Sequence, residues 1–126
     1  MMDQRPLILL LEDDQASAEA MKLVLRDWGA NVVHGADVDD IVSSAGTHAA
    51  AAAMIITDFH LSKGNGVSAA QQLSKRAPRA RVLVLSGSLS NDAQSAAKGA
   101  GFTFMRKPAP RRDIISWLEQ QRELVG

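Results

Sequence analysis

Five residues with chemically useful side chains stand just past apolar runs. Glu12 and Asp13 follow Leu7 to Leu11, Asp58 follows Met54 to Thr57, Ser86 follows Val82 to Leu85, and Lys107 follows Phe102 to Met105. A nucleophilic carboxylate, two further carboxylates, a hydroxyl and an ammonium are parts from which a site holding a phosphoryl group on an acid is built. Two carboxylates roughly 5 Å apart repel by roughly 3 kcal/mol at an effective dielectric near 20, so Glu12, Asp13 and Asp58 converge only around a counter-charge. An oxygen-only ligand set favours Mg²⁺, which keeps several waters and takes one or two carboxylates plus a phosphate. Lys107 adds a second positive charge and Ser86 a hydroxyl donor. Each residue alone has a plainer reading, since acids cap helices and serines fill loops; the combination carries the chemistry.

The elements that must position these groups are legible from the pattern. Leu7 to Leu11, Met54 to Thr57 and Val82 to Leu85 are short continuous apolar runs, as in strands covered on both faces. Asn31 to Gly35 and Phe102 to Met105 give two weaker strands. Asp14 is placed to cap a helix carrying Met21, Val24, Leu25 and Trp28 at helical spacing, with Gly29 to stop it. Asp37, Asp39 or Asp40 starts a second helix through Ile41 and Val42, which either breaks at Gly46 or runs on through Ala49 to Ala53. Gly64, Asn65 and Gly66 form a turn before a third helix marked by Val67, Ala70 and Leu73, ending near Pro78. Asp92 to Lys98 is a fourth helix, closed by Gly99 and Gly101. Ile114, Ile115, Leu118 and Leu124 line a fifth, with Pro110 near its first turn. Strand and helix alternate five times, which predicts an α/β fold with a parallel sheet and helices on both faces, and chemistry at the carboxyl ends of the strands.

Composition narrows the function. With 126 residues the chain suits a single domain, 1–126. Fourteen basic and fourteen acidic residues cancel, so no overall positive field draws the chain to nucleic acid or an anionic membrane surface. The absence of cysteine removes disulfides, thiol nucleophiles and the usual structural zinc sites. No apolar run approaches the length of a membrane span, and a cytoplasmic location is expected.

Over its whole length the chain resembles the receiver domain of two-component response regulators, in the motifs LLLEDD, ITDFHLSKGNG, VLVLSGS and FMRKP. The resemblance implies a doubly wound, flavodoxin-like (βα)5 fold with strand order 2-1-3-4-5. It implies Asp58 as phosphoacceptor, Glu12 and Asp13 as the acid pair for Mg²⁺, and the His60 backbone carbonyl as a further metal ligand. Ser86 becomes the hydroxyl that contacts the phosphoryl group and moves on activation, Lys107 the phosphate-binding lysine, Phe104 the switch aromatic, and Lys107-Pro108 a cis peptide. The partners implied are a histidine kinase or histidine phosphotransfer protein as donor, and an output protein or domain that reads the face of the fourth helix, fifth strand and fifth helix. Such a receiver is a signalling switch that assists its own phosphorylation and dephosphorylation, not a metabolic enzyme; it stands alone or is cut from a longer regulator or hybrid kinase. Ser62 departs from the pattern, which has proline four residues after the phosphoacceptor, and a more mobile loop is expected there.

A plain flavin- or nucleotide-binding module of the same architecture calls for a glycine- or hydroxyl-rich loop after the first strand, where this chain has Glu12-Asp13-Asp14. A receiver-like interaction domain that no longer uses phosphate would not need the full residue set. The His60 ring is expected in solvent, where it and Ser88 shield the acyl phosphate from water. His34 and His48 are expected in surface or loop positions, Trp28 and Trp117 in packing. Arg106, Lys107, Arg111 and Arg112 read as a solvated or protein-docking face rather than a nucleic-acid site.

Overall fold

The computed structural model describes residues 4–125, with side chains described through 123. Five strands, β1 (Leu7–Leu11), β2 (Asn31–Gly35), β3 (Met54–Asp58), β4 (Arg81–Ser86) and β5 (Thr103–Arg106), alternate with five helices. These are α1 (Gln15–Trp28), α2 (Val38–Ala45), α3 (Gly66–Ser74), α4 (Asp92–Gly99) and α5 (Arg111–Val125). The strands are all parallel, in the order β2-β1-β3-β4-β5. This is the doubly wound arrangement that the alternation and the resemblance predict.

The central strands β1, β3 and β4 are mostly apolar because both faces are covered, and successive side chains go to opposite layers. Leu9, Leu11, Ile55, Val82 and Val84 pack with Ile41 of α2, Ala70 and Leu73 of α3, and Ala97 of α4. Their neighbours Ile8, Leu10, Met54, Ile56, Leu83 and Leu85 pack with Leu25 of α1 and Ile114, Trp117 and Leu118 of α5. The first layer is rich in alanine, and those small side chains let the backbones approach closely. Leu124, expected on the inner face of α5, lies outside the described side chains.

Helix ends follow local chemistry. The Asp14 side chain accepts the Ser17 N–H at the start of α1, and Gly29 closes that helix in the left-handed conformation at φ 114°. Asp37 caps α2 by accepting the Asp40 N–H at 2.9 Å. Of the two readings of the alanine run, the break at Gly46 holds: α2 stops there at φ 54° and a 3₁₀ turn spans Gly46–Ala51. The last strand begins one residue later than the apolar pattern suggests. The Phe102 N–H is spent on the Ala97 carbonyl at the end of α4, and the β4 ladder starts with Thr103 opposite Leu83. Trp28 is half-buried and packs against the core, as expected. Its Nε1–H donates to Glu119 Oε1 at 2.7 Å and its ring lies under Arg122 at 4.3 Å, which joins α1 to α5.

Candidate functional site

Parallel register brings the carboxyl ends of the strands to one edge. Leu11 pairs with Thr57, Asp58 with Leu85, and Ser86 with Arg106. Backbone bonds carry the ladder one step further: the Glu12 N–H reaches the Gly35 carbonyl at 3.1 Å, Phe59 that of Leu85 at 2.8 Å, and Lys107 that of Ser86 at 2.9 Å. Glu12, Asp58 and Lys107 thus leave a rigid sheet at fixed positions. They cluster beside β1 and β3, where the strand order reverses and open α/β sheets place their ligands.

Three carboxylates meet there. One oxygen from each of Glu12, Asp13 and Asp58 lies within 4.8 Å of the others. Lys107 Nζ is 3.4 Å from Asp58 Oδ1 and 3.8 Å from Glu12 Oε1. Glu12 is only 5% exposed, and its Oε2 is buried without a hydrogen-bond partner. Burial pushes its pKa from 4.5 up to about 7; the Asp58 charge adds to this, against the pull of Lys107. Asp13 is exposed and its pKa lies below the usual value, chiefly because the Ser62 hydroxyl donates to it. A buried orphan oxygen, three converging carboxylates and no sulfur or imidazole donor fit a hard divalent cation such as Mg²⁺.

The other expected residues surround this cluster. Ser86 is buried at the end of β4, and its hydroxyl accepts the Ser88 N–H at 3.2 Å. Phe104 lies away from the carboxylates, half-buried against the α2–α4 layer, with the Arg106 guanidinium 5.6 Å from its ring centre. Arg106 also donates to the Ser88 carbonyl. The Lys107-Pro108 peptide is cis. The His60 ring is exposed and meets Phe59 edge-on at 5.0 Å. The basic residues near 106–112 do not act as one patch: Arg106 serves the Ser88 carbonyl and the Phe104 ring, Lys107 faces the acids, Arg111 meets Asp27 at 3.3 Å, and Arg112 meets Asp113 at 4.0 Å.

Three features go beyond or against expectation. His34 is no surface residue: it lies half-buried in β2, its Nε2 2.7 Å from the Glu12 carbonyl oxygen, because β2 ends beside the acidic corner. Ser62 ties its loop down where a looser one was expected, donating N–H and hydroxyl to Asp13 Oδ2 at 2.5 Å each. Gly66 is not the turn glycine; that is Gly64, at φ 86°. Gly66 opens α3 against β3, and a Cβ there would lie 2.0 Å from the Asp58 carbonyl oxygen and 2.6 Å from Thr57 Oγ1. A glycine followed by a helical pattern was its only signal. Gly66→Ala is therefore expected to cost about 3 kcal/mol or more of stability, read as a lower urea midpoint, and an unchanged midpoint would refute the close approach.

Residues 8–119 match the family described as response regulator receiver domain. The chain is 29% identical over 121 residues to the photosynthetic apparatus regulatory protein RegA of Rhodobacter capsulatus, covering 94% of this chain and 64% of that protein. It thus spans under two thirds of that curated relative. Among solved structures, it superposes on a response regulator receiver domain protein of Clostridium thermocellum with a TM-score of 0.83 at 20% identity, covering 96% of this chain and 99% of that one. The signal receiver domain of an HD domain-containing protein of Pseudomonas fluorescens gives 0.84 at 16% identity, over 99% and 92% of the two chains.

Proposed function

Because this chain belongs to the response regulator receiver family of two-component systems, we propose that Asp58 accepts a phosphoryl group from the phosphohistidine of a histidine kinase or phosphotransfer protein. An Asp58 carboxylate oxygen attacks phosphorus, the P–N bond to the donor imidazole breaks with its electron pair going to the ring nitrogen, and an acyl phosphate remains on Asp58. The observation that carries this reading is the convergence of Glu12, Asp13 and Asp58 within 4.8 Å with Lys107 3.4 Å from Asp58. Glu12, Asp13, Asp58 and the His60 carbonyl would hold a Mg²⁺ ion, which would supply charge neutralisation for the transferring oxygens.

This chain's own residues do the rest. Lys107 exchanges its contact with the bare Asp58 carboxylate for one with a phosphoryl oxygen. Ser86 gives up its bond with the Ser88 N–H and turns its hydroxyl to the phosphoryl group. That displacement shifts the β4–α4 loop, and Phe104 turns inward to reshape the face of α4, β5 and α5 that an output partner reads. In this reading the domain is a signalling switch of the cytoplasm, not a metabolic enzyme, and it binds proteins rather than nucleic acid or membrane. Among the described residues no helix is long and apolar enough to cross a membrane.

Beryllofluoride with Mg²⁺, added to labelled protein, is expected to move the amide resonances around Asp58, Ser86 and Phe104. An unaltered spectrum would defeat the proposal.

A further inference from the structure

Asp13 is the exposed member of the acidic cluster, while Glu12 is buried and Asp58 half-buried. Repulsion from its two neighbours favours a rotamer that swings it into water. It is held in the cluster instead by Ser62, whose backbone N–H and hydroxyl both donate to Asp13 Oδ2 at 2.5 Å across 49 residues of sequence. Two donors on one oxygen fix the orientation of the carboxylate.

Ser62 is itself well anchored. Its loop is closed by the Gly66 N–H on the Phe59 carbonyl at 2.7 Å and by the bridge between His60 and Asn65. The next residue, Lys63, meets Asp37 at 3.0 Å, which ties the loop to the start of α2. The clamp on Asp13 therefore acts from a braced support.

We propose that Ser62 is a positioning residue for the metal site, holding the Asp13 carboxylate in place beside Glu12 and Asp58 and thereby strengthening Mg²⁺ binding. This rests on the reading of Glu12, Asp13 and Asp58 as the Mg²⁺ ligands. Hydrogen bonds to ligating carboxylates raise metal affinity by their hold on ligand orientation. Proline here supplies neither donor, alanine only the N–H, and threonine both.

The test is Mg²⁺ titration of the unphosphorylated protein, followed by calorimetry and by amide shifts, for wild type, Ser62→Thr, Ser62→Ala and Ser62→Pro. Ser62→Thr is expected to bind as wild type does, Ser62→Ala about tenfold more weakly, and Ser62→Pro more weakly still. Metal-free spectra report whether each variant is folded, and Ser62→Ala decides the matter if the proline variant is not. Equal or tighter binding by folded Ser62→Ala overturns the proposal while leaving the metal site standing. Failure of wild type to bind Mg²⁺ removes the metal site and the clamp's role together. Loss in Ser62→Ala without recovery in Ser62→Thr also counts against it, because a hydroxyl donor was then not what mattered.

Discussion

Treated with acetyl phosphate and Mg²⁺, the wild-type chain is expected to gain one phosphoryl group by intact-mass measurement, and Asp58→Asn none. An amide holds the shape of Asp58 but its oxygen is a poor nucleophile, so labelling should fall to background. Glu12 and Asp13 are not expected to substitute for it: they follow β1 rather than end β3, and Glu12 is buried. Lys107→Ala should still be labelled, about a hundredfold more slowly, the usual cost of losing one charge-stabilising donor. Full labelling of Asp58→Asn would place the phosphoryl group elsewhere and sink the proposed switch.

The second large effect is on stability and comes from Glu12. Its pKa rises from 4.5 to about 7 in the metal-free fold, because burial leaves the charged carboxylate poorly solvated. Below pH 4.5 the group is protonated in both folded and unfolded chains and costs nothing. Between 4.5 and about 7 the folded state holds the proton that the unfolded state has lost, so stability falls as pH rises. Above 7 the penalty is complete, at roughly 3 kcal/mol from the size of the shift. Glu12→Gln, neutral at every pH, is therefore expected to match wild type near pH 4.5 and to exceed it by up to about 3 kcal/mol at pH 8 in urea unfolding with EDTA. Mg²⁺ at pH 8 should narrow the gap by stabilising the ionised carboxylate. Parallel pH profiles for the two proteins would show that Glu12 is solvated in the fold.

The proposed switch has a structural link between Ser86 and Phe104. Ser86 is buried and bound to the loop that Arg106 also holds, through the Ser88 carbonyl. Arg106 lies over Phe104 as well. Loop and aromatic thus share one exposed side chain, so movement of the loop toward a phosphoryl group disturbs the support of Phe104 directly.

The amino-acid sequence by itself determined the alternation of strands and helices and the place of each acid, hydroxyl and ammonium at or just past a strand end. Those features rest on local signals: apolar runs of strand length and cap residues such as Asp14, whose regular alternation implies a parallel sheet with every strand end on one edge. Other features depend on contacts between residues far apart in the chain, and only the tertiary structure decided them. Asp13 meets Ser62 across 49 positions, His34 meets Glu12 across 22, and Gly66 is pressed against the Asp58 backbone by the packing of α3 on β3. Ser62 shows the difference most clearly. Read alone, the loss of a proline signals a looser loop; in the fold, the N–H and hydroxyl that proline lacks are what bind that loop to the acidic corner.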